Sequence, residues 1–451
     1  MVKRPSFESV STKQQRIAML AKQNPTMAMT TLSHHIDIAW LHEAFYRTRK
    51  DGATGVDGQT WAEYGENLEE NLQSLLDRAK SGTYRAPPVR RVHIPKGSGK
   101  ETRPIGIPTL EDKVLQRAVV MILEAIYEQD FCDCSYGFRP GRSAHQALED
   151  LWQQTISSGG GWVLDMDIQK FFDNLDHAHL REFLQRRVRD GVLLRLIGKW
   201  LKAGVMENGC ISRPDSGSPQ GGVISPLLAN VFLHYVLDLW FVEEVLPCLK
   251  GRAFLIRYAD DAVIGFTDEE DARRVLEVLP KRLGKYGLTA HPEKTKLVEF
   301  RKPPHDDRPR GGPDGDRPGT FDLLGFTHFW ARSRKGNWVV RRKTMASRFA
   351  RAVKEIAQWC RRNRHLPIGE QYAKLCQKLR GHCGYYGITG NSYSLQRFRE
   401  AMCRVWRKWL VRRSSKHRRA WDWFARLQER FRLPYAIATQ SKYRRESKGT
   451  T

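Results

Sequence analysis

Tyr258-Ala-Asp-Asp261 sets two carboxylates side by side between two apolar segments, Phe254-Leu-Ile and Ala262-Val-Ile-Gly-Phe266. Those flanks predict a strand, a tight turn and a second strand. Adjacent carboxylates at a turn repel each other, and divalent cations relieve that repulsion. A further acidic segment lies upstream. Trp162-Val-Leu-Asp-Met-Asp-Ile168 alternates apolar and acidic residues, the pattern of a half-buried strand. An aspartate near its end, Asp167, can join Asp260 and Asp261 in the kind of trio that holds two metal ions about 4 Å apart for phosphoryl transfer. In that chemistry one ion activates an attacking hydroxyl and the other steadies a leaving pyrophosphate.

The elements that must carry this trio are legible around it. Apolar residues recur at helical spacing from about 37 to 80, at 110–129, at 177–203 and at 225–245, where Leu228, Val231, Phe232, Tyr235 and Leu239 share a face. Residues 89–108 predict a hairpin with a basic tip, Lys96-Gly-Ser-Gly-Lys100. Residues 1–36 are polar and patternless, which predicts a flexible start. Residues 301–320 hold five Pro and four Gly, which predicts a mobile surface loop. Beyond 345 the chain is helical and basic.

Charge is segregated along the chain. The 451 residues carry a formal net charge of +26, and residues 331–451, with 32 basic and 6 acidic side chains, hold all of it. Residues 1–330 balance at 44 of each sign. A neutral catalytic body with a polyanion-binding appendage fits that split. No apolar run approaches the roughly 18 residues a bilayer span needs, and the first twenty residues lack a signal peptide's apolar stretch. The expected setting is therefore cytoplasmic, with no membrane partner. The eight cysteines form no C-x-x-C pair, which argues against a zinc ribbon and for reduced thiols.

Tyr258-Ala-Asp-Asp261 resembles the active-site tetrapeptide of reverse transcriptases, and its surroundings resemble group II intron-encoded proteins that combine reverse transcriptase and maturase activity. The blocks that carry the resemblance are Gly55-Val-Asp-Gly58, Ile94-Pro-Lys96, Arg103-Pro-Ile-Gly-Ile-Pro108, Ser135-Tyr-Gly-Phe-Arg-Pro140, Asp167-Ile-Gln-Lys-Phe-Phe-Asp173, Gly217-Ser-Pro-Gln-Gly-Gly222, the Tyr258 block, His291-Pro-Glu-Lys-Thr295 and Leu323-Leu-Gly-Phe326. Gly381-His-Cys-Gly-Tyr-Tyr-Gly387 and Gly390-Asn-Ser-Tyr393 are similar to the signature of the RNA-binding thumb called domain X.

The resemblance implies roles position by position. Asp167, Asp260 and Asp261 would be the catalytic, metal-holding carboxylates for two Mg²⁺ ions, with Mn²⁺ able to substitute; Asp165, outside the block's leading position, is the weaker candidate. Lys96 and Arg103 would clamp the incoming triphosphate. Phe172 would lie beneath the sugar and exclude a 2′-hydroxyl, or pack in the core, or both. Gln220 would contact the template–nucleotide pair. Lys294 would donate a proton to pyrophosphate or form a structural salt bridge. Leu324, Gly325 and Phe326 would form the primer grip. Arg404, Arg407, Lys408, Arg412 and Arg413 would bind RNA, while Trp406 and Trp409 suit a thumb core.

The fold so implied is α+β, a right-hand polymerase with fingers, an antiparallel palm sheet and an α-helical thumb, domain X. Its expected divisions are a flexible segment 1–36, a helical extension 37–83, fingers and palm 84–330, and a basic thumb and tail 331–451. The implied function is RNA-directed DNA synthesis joined to assistance of intron splicing and to retrohoming. Group II intron RNA, an RNA template with a DNA primer, deoxynucleoside triphosphates and target DNA would be the partners. The chain stops soon after domain X, which resembles the kind without an endonuclease, whose primer is made elsewhere. A splicing factor with a dead polymerase, and a reverse transcriptase domesticated for defence, are the rival readings; the intact aspartates oppose the first and the domain X signature the second.

Overall fold

The computed structural model describes residues 7–95, 102–207, 210–212, 221–303, 319–333, 335–413 and 420–440. It divides into two compact units, Met1–Asp150 with Leu164–Leu297, and Leu151–Val163 with Val298–Thr451. The second unit resumes at Val298, ahead of the expected border at 330. In the second unit Phe300 exchanges backbone hydrogen bonds with Gly161 (2.7 and 3.2 Å), and Trp330 Nε1 donates to its carbonyl at 3.0 Å, which ties both segments to the C-terminal part.

The first unit opens with a helix, not with the expected loose segment. Phe7–Gln23 is helical, and Val10, Ile17 and Ala21 are buried. Its few apolar residues fall at helical spacing among many polar ones, so local composition hides a helix that packing demands. Helix Leu110–Tyr127 is capped by Thr109, whose hydroxyl accepts from Asp112 N, and is buried along most of its length. Asp176 and Asp190 cap helix His177–Gln185 and the Leu-rich helix Gly191–Leu201 in the same way.

Strands β1 (Val89–Pro95) and β2 (Thr102–Ile107) form the expected antiparallel hairpin, with Ile94 opposite Arg103. The basic tip at 96–101 lies outside the described residues. With β3 as Trp162–Met166, β4 as Val205–Glu207 and β5 as Cys210–Ser212, the first sheet runs β2-β1-β4-β5. A second runs β6 (Ala253–Tyr258), β7 (Asp261–Phe266), β3, β8 (Lys296–Glu299). Both β3 and β8 are strands in which the chain passes from one unit to the other.

Between these strands runs one long apolar helix, Ser225–Cys248, which begins as α-helix and continues in π-turns over His234–Asp238 and Trp240–Val245. It is long and apolar enough to cross a membrane by length and composition alone, but 83% of its apolar window is buried in the protein. It is a core helix of the first unit, its apolar sequence interrupted by His234, Asp238, Glu243 and Glu244.

In the second unit β9 (Phe321–Leu323), β10 (Phe326–Arg332) and β11 (Trp338–Thr344) form a meander ordered β11-β10-β9. Helices Ala346–Arg362, Ile368–Tyr386, Ser392–Val411 and Ala420–Arg430 follow. Ile356, Leu375, Leu379, Phe398, Met402 and Trp406 pack as their core. Asn391 stitches helix to strand: its Oδ1 accepts from Thr344 N and its Nδ2 donates to Tyr386 O. Most of the 301–320 loop falls outside the described residues.

Candidate active site

The β6–β7 hairpin turns at Ala259 and Asp260, with Tyr258 paired to Asp261. Ala259 has φ 58°, a left-handed conformation that a non-glycine residue adopts at a cost of about 1 kcal/mol or more. Asp260 is half-buried and Asp261 exposed. Asp167 leaves the end of β3, the strand beside β7, and is also half-buried. Its backbone is pinned by His291 N, which donates to Asp167 O at 2.8 Å.

The turn rests on buried polar groups. Arg257, the residue before Tyr258, is fully buried against Asp238, with Nε to Oδ1 at 2.7 Å and Nη2 to Oδ2 at 2.6 Å. Burial opposes the guanidinium charge, and the paired carboxylate more than restores it, so its pKa stands above the ordinary arginine value. Gly137 faces the turn so closely that a Cβ would lie 2.3 Å from Ala259 N. Next to it Phe138, also left-handed at φ 56° and 59% exposed, sets its ring 6.3 Å from that of Tyr258. Arg139 clamps the start of this loop by hydrogen bonds to Glu128 and to the carbonyls of Cys132 and Ser135. Cys132 and Cys134 are free thiols, and Cys132 Sγ lies 4.0 Å from His234 Nδ1.

Lys294 Nζ lies 3.0 Å from Asp167 Oδ2. The salt-bridge alternative for Lys294 is thus the arrangement present, and its partner is one of the three acidic residues singled out. Phe171 is buried against Phe232 at 6.3 Å between centroids, whereas Phe172 is half-buried and meets Phe171 edge-on at 5.3 Å. Their opposite fates arise in a turn that follows β3, where Lys170 has φ 47°, and not from strand alternation. Asp165 is half-buried on β3.

The remaining candidates are spread more widely. Arg103 is exposed on β2. Lys96 and Gln220 lie outside the described residues; beside the latter, Gly221 has φ 115° and leaves no room for a Cβ, which would lie 2.5 Å from Gly106 O. In the second unit Leu324 and Gly325 form a left-handed turn at φ 51° and 79°, and Tyr385 donates its hydroxyl to Leu324 O at 2.8 Å. Phe326 is fully buried against Tyr385 and Tyr386, so it supports this turn and presents no surface to a primer. Arg404, Lys408, Arg412 and Arg413 are exposed along or just past helix Ser392–Val411. Arg407 instead covers the Trp421 ring at 3.3 Å, and Trp406 is core, its Nε1 donating to Gln371.

Carboxylates at the ends of neighbouring strands are the hard oxygen donors that magnesium prefers. Asp167 already holds a cationic group, the Lys294 ammonium. In donor chemistry the residues suit a divalent ion. Among the described residues, however, no three His, Cys, Asp or Glu side chains stand close enough together to hold one. Arg257, Asp238, Asn230 and Gly137 are the residues that sequence reasoning passed over; only the adjacency of Arg257 and of the Ser135 block to the recognised motif pointed to them.

Residues 94–328, about half of the chain, match the family model described as reverse transcriptase (RNA-dependent DNA polymerase). Residues 347–427 match the group II intron, maturase-specific domain. The chain is similar to the group II intron-encoded protein LtrA of Lactococcus lactis subsp. cremoris, 34% identical over 300 residues that cover 63% of this chain and 49% of the relative. It is similar to protein YkfC of Escherichia coli (strain K12), 39% identical over 232 residues, 50% of this chain and 61% of the relative. A shorter likeness, 33% over 95 residues, joins it to nuclear intron maturase 1, mitochondrial, of Arabidopsis thaliana, over 21% of this chain and 13% of the relative. The chain spans about half the length of the Lactococcus relative. The fold agrees with these matches: α+β, antiparallel hairpins in the first unit and a helical C-terminal region.

Proposed function

The chain belongs to the reverse transcriptase family, and from that premise we propose that it copies RNA into DNA and serves a group II intron RNA as a maturase. The observation that carries the reading is the strained, propped turn that presents Asp260 and Asp261 beside the strand bearing Asp167. Reverse transcriptases generally use divalent metal ions. Here Asp167, Asp260 and Asp261 would hold two Mg²⁺ ions, or Mn²⁺, which when bound supply the charge that activates a 3′-hydroxyl and steadies pyrophosphate.

The chain's own residues then have distinct tasks. Lys294 releases Asp167 and becomes free to protonate the leaving pyrophosphate. Lys96 and Arg103 bind the triphosphate, and Gln220 contacts the template pair. Phe172, half-exposed at the site's floor, excludes a ribose 2′-hydroxyl. Leu324 and Gly325 meet the primer strand. Arg404, Lys408, Arg412 and Arg413 give the second unit an exposed cationic stripe for intron RNA phosphates, whose binding must then weaken steeply with salt. Target DNA and retrohoming belong to the same reading, as does a cytoplasmic setting for the free thiols.

The test is primer extension by the purified chain on an RNA template with a DNA primer, deoxynucleotides and Mg²⁺. Asp260→Asn should lower extension by about 10³-fold or more, because it removes a metal-binding oxygen, while intron RNA binding stays within a few-fold. Near-normal extension by that variant would remove the assignment of the turn. Loss of both activities in a folded variant would remove the separation of polymerase from RNA binding.

A further inference from the structure

The polar cluster behind the Ala259 turn has no part in the chemistry described so far. Arg257 and Asp238 are both fully buried. A guanidinium has five N–H bonds, and here all five have acceptors. Nε and one Nη2 bond go to Asp238; the other Nη2 bond reaches Ser135 Oγ at 2.7 Å. Nη1 donates to Asn230 Oδ1 and to Ala259 O, each at 3.0 Å. Asn230 in turn donates to Gly137 O at 2.7 Å, and Gly137 is the residue packed against Ala259 N.

A buried ion pair is a weak device for stability, since a well-packed apolar pair often does as well. What an apolar pair cannot do is grip a carbonyl. This guanidinium grips the carbonyl of the one left-handed residue that sets the direction of Asp260, and Asn230 holds the loop that closes the opposite side. The backbone on either side is locked as well: Arg257 N donates to Cys134 O, and Tyr136 N donates to Arg257 O, both at 2.8 Å.

We propose that Arg257, with Asp238, Asn230 and Gly137, is a positioning network that holds the Ala259 turn in its strained conformation and so sets the carboxylates of Asp260 and Asp261 for the incoming metal and nucleotide. The inference rests on the assignment of those two aspartates to the reaction centre. It makes the ion pair a device for geometry, paid for in charge burial.

The test compares Arg257→Met/Asp238→Leu, which removes both charges at similar volume, with the parent full-length chain. Melting temperature and intron RNA binding should stay near the parental values. The kcat for primer extension should fall about 30- to 100-fold, with the deoxynucleotide KM within about threefold, as expected for misplaced reacting groups. Mn²⁺ affinity followed by electron paramagnetic resonance should weaken about tenfold, through loss of the same component that Asp260→Asn removes. Arg257→Lys, which keeps a charge beside Asp238 but forfeits the fork, is the second variant if the double one does not fold; it should lose at least about tenfold in kcat. A folded variant of either kind with kcat and Mn²⁺ affinity within threefold of the parent overturns the proposal. If Asp260→Asn itself stays active, the site assignment fails instead, and the two failures are thereby distinguished.

Discussion

Among the described residues four non-glycine residues take the left-handed region, and two of the turns they make, at Ala259 and at Leu324, are held in different ways. At Ala259 in the first unit the support is a fully buried charge pair and a glycine with no space to spare. At Leu324 in the second unit it is neutral: the Tyr385 hydroxyl bonds the Leu324 carbonyl, and Met345 N bonds the carbonyl of Gly325 at 3.0 Å. Around Gly325 the nearest atom to an added Cβ is the far end of a side chain, Tyr386 Oη, at 3.1 Å. The first turn is braced by close-packed backbone and a buried charge pair, the second by one backbone bond and neutral side chains, of which Tyr386 can shift. A turn that must place carboxylates for metal tolerates little displacement; a turn that meets a polymer strand tolerates more.

Substitution of the two glycines should expose that difference most strongly. Gly137→Ala drives a methyl into Ala259 N, where only backbone can yield, and should reduce primer extension by about 10²-fold at unchanged intron RNA affinity. Gly325→Ala has a flexible neighbour but an unfavourable φ of 79°; it should cost about 1 kcal/mol of stability, read as a lowered melting temperature, and only a few-fold in extension. Equal losses in the two variants would erase the distinction.

A smaller effect tests the neutral brace alone. Tyr385→Phe removes one hydrogen bond, to Leu324 O, and leaves the ring contact with Phe326 at 5.9 Å. Loss of about 1 kcal/mol is expected, appearing as a few-fold weaker primer KM with kcat retained. A fall in kcat without a change in primer KM would place Leu324 nearer the chemistry than its turn suggests.

Much of this was open to sequence reading, and the boundary is instructive. Tyr258-Ala-Asp-Asp261 and the Asp167 strand declared themselves because period-two alternation and adjacent acids are local patterns. The hairpin at 89–107 did so for the same reason. Asp238 did not. It sits on an apolar helix whose passage into π-turns breaks the 3.6-residue phase, so its burial cannot be read from spacing. Asn230 and Ser135 join Arg257 from 27 and 122 residues away, a link that only tertiary structure makes. The helix Phe7–Gln23 escaped notice because three buried residues over the described positions 10–23 make a faint periodic signal.

The units should also differ in how pH acts on them. In the first, burial raises the Asp112 carboxyl to about 8, with Tyr84 Oη donating to it. An acid raised in the native state is protonated there while the unfolded chain has lost its proton, so its stabilising contribution is present at about pH 4 and is lost as pH rises through 8. In the second, burial lowers His328 to about 3, and neither ring nitrogen has a partner. A base lowered in the native state contributes above its ordinary pKa and loses that contribution as pH falls from about 6.5 towards 3. Asp112→Asn should therefore gain on the parent as pH rises from about 4 to about 6, and His328→Phe as pH falls from about 6.5 to about 4.5, each by about 2 kcal/mol, read from melting curves across those windows. Parallel pH profiles for parent and variants would contradict these assignments.

The central claim is that Asp167, Asp260 and Asp261 act together on metal. Replacing Mg²⁺ by Fe²⁺ in the complex of protein, RNA template, DNA primer and deoxynucleotide, then adding ascorbate and peroxide, cuts the backbone next to bound iron. Cuts are expected beside Asp167 and beside Asp260, both suppressed by excess Mg²⁺ and both lost in Asp260→Asn. Cuts confined to one of the two segments, or unchanged in Asp260→Asn, would contradict it.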